Sequence, residues 1–178
     1  MTRLAIADPP YLGRAQRWYG TEGRGSGGGQ HRADEHPNAR DWDNPDTHRA
    51  LVRQLDDNFA GWAIAATPAS LPIYLSAAPT ARVMVWNVTN SPPSGWRVQQ
   101  SWEAVILRIP PGRTAQGTGY TVRDVLACGS PRRGFTGSKP AAWTRWVLTA
   151  LGYDSTTDTV TDLFPGSLAV TLEAEQIL

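Results

Sequence analysis

Short apolar runs broken by prolines set the pattern of this chain. Leu4-Ala5-Ile6-Ala7 reads as a brief buried strand, and Pro9-Pro10 ends it, because consecutive prolines fix φ and remove two amide donors. The turn that follows, Asp8-Pro9-Pro10-Tyr11, is therefore rigid. Asn44-Pro45-Asp46 supplies a helix start, after which Leu51, Val52, Leu55 and Phe59 fall at helical spacing. Residues 61–67 read as a buried strand through Trp62 and Ile64, Ser70-Leu71-Pro72 opens a short helix to Ala78, and residues 82–88 are a second β-rich run. The alternation β-α-β-α-β predicts an α/β fold with a mostly parallel sheet.

The second half continues in shorter pieces. A Pro/Gly/Ser turn at 90–95 precedes two β-like runs, 96–100 and 102–108, which are expected to form an antiparallel hairpin at the edge of the sheet. A loop at 110–119, an apolar stretch at 122–128 and a turn at 130–133 lead to Lys139-Pro140. From there Trp143, Trp146, Val147, Ala150 and Leu151 give a helical stripe that stops at Gly152. These tryptophans read as core rather than as a ligand platform. The last pattern, Thr159-Val160-Thr161-Asp162-Leu163-Phe164-Pro165-Gly166-Ser167, is a short strand running into a glycine-containing turn before a helix.

Residues 12–44 have no sustained periodicity and include Gly23-Arg24-Gly25-Ser26-Gly27-Gly28-Gly29. They read as a flexible Gly/Arg-rich loop within a single domain, 1–178. Arg14, Arg17, Trp18, Tyr19 and Arg24 suit a clamp over nucleic acid, with rings stacking on bases and Arg holding phosphate. The same residues also suit a merely solvated loop. His31, Asp34 and His36 match no stable metal-ligand spacing, so no metal is expected.

Length and composition narrow the picture only a little. The chain has 178 residues, 40% of them apolar, enough for one core. No apolar run approaches the roughly 18 residues of a membrane span, and the N-terminus lacks a signal-peptide pattern, so a cytoplasmic protein without a membrane partner is expected. The lone Cys128 leaves no internal disulfide and reads as a buried thiol. Net charge is +1, and Lys139 is the only lysine beside sixteen arginines. That composition reflects a GC-rich genome most simply, and it also suits phosphate contact.

Taken alone, Asp8-Pro9-Pro10-Tyr11 is ordinary turn chemistry as much as a site. With the other motifs it resembles the DNA amino-methyltransferases, which use S-adenosylmethionine (SAM) to methylate the exocyclic amine of adenine or cytosine. Asp8-Pro9-Pro10-Tyr11 is similar to that family's catalytic Asp-Pro-Pro-aromatic motif. Asp162-Leu163-Phe164-Pro165-Gly166-Ser167 resembles its SAM-binding turn, and Thr136-Gly137-Ser138-Lys139-Pro140 the Lys-Pro segment ahead of it. The order of the motifs is that of the circularly permuted members, and the layout resembles small phage-encoded DNA methylases, whose compartment is the host cytoplasm.

The resemblance implies a Rossmann-like SAM-dependent methyltransferase fold and a catalytic set of Asp8, Pro9, Pro10 and Tyr11. Asp8 and the Pro9 carbonyl would accept the two amine hydrogens, and Tyr11 would stack on a flipped base. Cofactor contacts would come from Asp162, Phe164, Gly166, Ser167, Lys139, Ser138, Thr136 and Asp8. Asp at the first motif position favours adenine N6, and DNA is the implied partner. Trp102-Glu103 resembles an aromatic-Glu pair of the same family. Two departures stand out: Leu168 replaces the last glycine of the SAM turn, and the chain ends at Leu178 without the next strand and its ribose carboxylate, for which Glu173 and Glu175 are the candidate substitutes although both are too near the turn for that strand. Truncation after the SAM turn leaves a sheet edge on which a second copy could pair as a homodimer. The competing expectation is a catalytically inactive, nucleic-acid-binding protein on the same fold.

Overall fold

A computed structural model describes residues 1–20, 38–114, 121–131 and 137–165. Among the described residues six strands, β1 (Thr2–Ala7), β2 (Gly61–Ala66), β3 (Arg82–Val88), β4 (Trp102–Arg108), β5 (Val125–Cys128) and β6 (Asp158–Asp162), form one sheet in the order β5-β3-β4-β2-β1-β6. Parallel pairing joins β1 to β2, β1 to β6 and β3 to β5, whereas β4 runs antiparallel to both of its neighbours. The sheet is mostly parallel, as the alternation predicts.

The expected edge hairpin is not formed. β4 lies inside the sheet between β2 and β3, and residues 96–100 are an exposed loop instead of its partner strand. Trp96 and Val98 supply the period of two that suggested a strand, but Pro92-Pro93 and Gly95 break the chain ahead of them. Parts of the segment expected to be one long loop, 12–44, are ordered: a short helix α1 (Ala15–Tyr19) and a 3-10 turn (Ala39–Asp43).

The helices among the described residues are α1, α2 (Pro45–Asn58), α3 (Leu71–Ala77) and α4 (Ala141–Leu151), with α2 and α3 on one face of the sheet and α4 on the other. Helix α2 starts as its sequence predicts, with Pro45 in the first turn and Asn44 Oδ1 accepting from the Asp46 amide at 3.0 Å. Phe59 falls just past its end and is half-buried. Helix α4 stops at Gly152, whose φ of +67° favours a residue without Cβ. Cys128 closes β5 half-buried rather than sealed.

Alternate residues of each central strand face opposite layers. On one side Leu4, Ile6, Met84, Trp86, Val105 and Leu107 pack on Trp143, Trp146, Val147, Leu148 and Leu151 of α4. On the other, Ala5, Ala7, Trp62, Ile64 and Ile106 pack on Leu51, Val52 and Leu55 of α2 and Tyr74 of α3. Burial on both faces explains why β1 and β2 read as continuous apolar runs.

Two polar devices fix this frame. Asp43 accepts from the Ala15 and Gln16 amides, both at 3.0 Å, so it caps α1 from the distant 3-10 turn. At the amino ends of β1 and β6, Arg113 makes a two-pronged pair with the buried Asp158, at 2.5 and 2.8 Å, and also donates to Thr2 Oγ1 and the Gly152 carbonyl. No helix among the described residues is long and apolar enough to cross a membrane.

Candidate active site

The carboxyl ends of β1 and β6 lie side by side. Ile6 is opposite Asp162 in the parallel register, and the Leu163 amide donates to the Ile6 carbonyl at 3.0 Å. The turn that opens the chain and the one that closes its described part therefore meet at one sheet edge, where open α/β folds bind ligands.

Asp8 leaves that edge and meets Lys139 from the segment before α4. The Lys139 ammonium donates to both Asp8 oxygens, at 2.9 and 2.8 Å, to the Tyr11 hydroxyl at 2.9 Å and to the Gly137 carbonyl at 3.1 Å. Glu103, at the start of β4, lies 3.4 Å from the same ammonium and accepts from the Tyr11 hydroxyl at 2.6 Å. Three rings complete the enclosure, with centroids 5.3 Å (Tyr11), 5.8 Å (Trp143) and 5.9 Å (Trp86) from the Lys139 nitrogen. Lys139 is 5% exposed, whereas the Asp8 side chain keeps 27% of its surface open. The anion, not the cation, faces outward.

The electrostatics follow from this packing. Burial works against the Lys139 charge, but Asp8 and Glu103 outweigh it and hold its pKa above the ordinary value. Burial raises the Asp8 carboxyl above its usual range, Lys139 opposes that rise, and Glu103 adds to it. Burial, then Asp8 and Glu103, push the Tyr11 phenol well above its ordinary value, so it stays protonated and able to donate.

Most of the expected site residues are placed. Pro9 and Pro10 are buried in the turn, and Tyr11 belongs to the cluster. Asp162 is half-buried, its carboxyl raised by burial although the Phe164 amide donates to it at 3.1 Å; the Asp8 charge raises it further. Phe164 meets Trp42 edge-on at 5.1 Å. Ser138 is half-buried beside Lys139 in the chain. Thr136, Gly166, Ser167, Leu168 and Arg24 lie outside the described residues, as do His31, Asp34, His36, Glu173 and Glu175.

The expected nucleic-acid residues separate into two groups. Arg14 stacks over Trp18 at 5.5 Å and donates to Gln100 Oε1 at 3.4 Å, and Arg17 is exposed. Tyr19 instead turns inward. Burial and the Asp8 charge push its phenol up to about 12, and a Cβ on Gly137 would sit 3.9 Å from its hydroxyl. It belongs with the Lys139 cluster more than with a surface clamp.

Several members of the site carry no local sequence signal. Trp86 and Trp143 are core residues that also wall the ammonium. Behind Phe164, Trp42 packs edge-on against His48, and His48 is buried with Nε2 donating to the Trp42 carbonyl at 2.7 Å and Nδ1 accepting from Tyr74 at 2.6 Å. Among the described residues no three His, Cys, Asp or Glu side chains gather as a metal site. No protein-family model matches the chain, and no curated protein matches it.

Proposed function

We propose that this chain is a SAM-dependent methyltransferase of the permuted DNA amino-methyltransferase type, acting on the N6 amine of adenine in DNA. The observation that carries the reading is the meeting of Asp8 and Asp162 at the carboxyl ends of adjacent parallel strands, with Tyr11 and Lys139 around the first of them.

The donor set suits a cofactor with a zwitterionic tail at one end. Asp162 offers an acceptor for an ammonium group and Phe164 a ring for an adenosine or methionine portion. Lys139 is already engaged by two carboxylates, which leaves the cofactor carboxylate to Ser138 and to the Thr136 and Gly166-Ser167 segments. When bound, SAM supplies a methyl group on a sulfonium.

The chain's own residues then act on the acceptor. An exocyclic amine is a weak nucleophile because its lone pair is delocalised into the ring. Asp8 and the Pro9 carbonyl accept its two hydrogens and turn the lone pair out of the ring plane, while Tyr11 stacks on the extruded base. Lys139 favours the charged form of Asp8 against the effect of burial, and Asp8 receives the proton that nitrogen loses.

A non-catalytic nucleic-acid-binding protein on the same fold is the second reading. It is favoured by one observation: both Asp8 oxygens are already occupied by Lys139. Calorimetric titration with SAM and transfer of labelled methyl to unmethylated DNA separate the two. The enzyme reading expects binding, transfer, and loss of transfer in Asp8→Ala and the isosteric Asp8→Asn with the fold kept. No heat at millimolar SAM and no transfer would leave only the second reading.

A further inference from the structure

Because β4 reverses direction, the loop between Val88 and Trp102 rises from the same sheet edge as Asp8. Within it Trp96 is 82% exposed and Val98 83%, and between them lies Arg97. Residues 89–101 contain no acidic side chain. The loop is nevertheless fixed in shape. Gln99 Nε2 donates to the Ser91 and Pro92 carbonyls at 3.2 and 3.0 Å, and Asn90 exchanges bonds with Ser130 at 2.8 and 2.9 Å. Trp96 is thus held out into water by a braced support.

The loop is also joined to α1 through the Arg14–Gln100 contact. Among the described residues at this end of the sheet, Asp8 and Glu103 engage Lys139, and Asp43 accepts from the α1 amides. What this loop presents to solvent is an exposed indole next in the chain to the exposed Arg97, with Arg14 attached through Gln100. That combination fits a polyanion carrying exposed flat rings.

We infer that the β3–β4 loop is a docking surface for single-stranded DNA, with Trp96 stacking on an unpaired base and Arg97 and Arg14 holding phosphate. The choice of DNA rests on the proposed substrate. An indole on the braced loop that leads into Glu103 of the acceptor cluster takes a base near the one being extruded, so it stabilises the opened strand.

The test is fluorescence anisotropy of labelled single-stranded DNA with the full chain at several salt concentrations. Trp96→Ala is expected to weaken binding roughly 5- to 100-fold, and Arg97→Gln to lower the salt slope by about 0.7. Arg53→Gln, on the exposed side of α2, serves as the unchanged control. No binding by the wild-type chain, or equal binding by Trp96→Ala, overturns the inference. So does a Trp96-dependent self-association in sedimentation that leaves DNA binding intact, since the surface would then serve a second copy. Trp96-dependent DNA binding without methyl transfer supports the inference and sinks the enzyme reading. Methyl transfer undiminished by Trp96→Ala does the reverse.

Discussion

Lys139 donates to both carboxylate oxygens of Asp8, at 2.9 and 2.8 Å, from a position almost sealed from solvent. An ammonium is placed there at a large desolvation penalty, so its two carboxylates must repay it. Lys139→Met should leave Asp8 and Glu103 facing each other without a cation, lowering stability by about 3 kcal/mol. The sign for Asp8 is fixed. Lys139 lowers the Asp8 pKa, and burial and Glu103 raise it, so removal moves it further up. The acid limb of methyl transfer should therefore shift to higher pH in Lys139→Met, read from the pH profile of kcat. An unmoved limb would mean that Asp8 is not the group titrating.

Tyr11 serves two roles that substitutions can separate. Its hydroxyl bridges Lys139 and Glu103, and its ring is the proposed stacking face. Tyr11→Phe keeps the ring and should cost about 1–2 kcal/mol of stability through the lost hydrogen bonds, with DNA affinity little changed. Tyr11→Ala should in addition weaken DNA binding by about tenfold. Equal DNA binding by the two variants would remove the stacking role.

Asp158 predicts acid sensitivity at the far end of the sheet. The hydrogen bonds from Arg113 hold its carboxyl at about 2, below the ordinary 3.8. The folded-state value is depressed, so the stabilisation is complete above about pH 4 and is lost as pH falls toward 2, amounting to roughly 2 kcal/mol. Arg113→Met should lower stability by about 3 kcal/mol at neutral pH and by less in acid, measured by denaturant melts across that range. A pH-independent difference would contradict the assignment.

His48 adds a second pH dependence with the same direction. Burial lowers its pKa below 6.5, so the unfolded chain takes up the proton first and stability declines as pH drops below about 6.5. His48→Gln should flatten that decline. Tyr74→Phe removes the donor to Nδ1 and should cost about 1–2 kcal/mol, with loosening passed through Trp42 to Phe164. Weaker SAM binding in Tyr74→Phe would register that relay, and unchanged affinity would exclude it.

Much of this frame was legible where a residue acts on its own neighbours. The Pro9-Pro10 stop, the Asn44-Pro45-Asp46 start of α2 and the Gly152 end of α4 are local chemistry, and each element forms where those residues put it. The place of β4 was not legible, because order within a sheet depends on contacts made far along the chain. Trp96 and Val98 carried a strand pattern, but no neighbouring edge takes them. The cap that Asp43 provides to α1 spans 28 residues, and the His48–Tyr74 bond 26, so neither leaves a local trace. In the site, Asp8 and Lys139 were both singled out, yet their bond was not foreseen. Lys139 reads from the resemblance as a cofactor contact, whereas in the structure it is engaged by Asp8 and Glu103 of the protein itself.

Since Lys139 is the sole lysine of the chain, amine acylation has a single side-chain target, and in the native fold that target is shut in. Modification there can proceed only when the cluster opens. The rate of acylation, followed by mass, thus becomes a stopwatch for breathing of the acceptor centre, and any compound that settles against Asp8 should slow it.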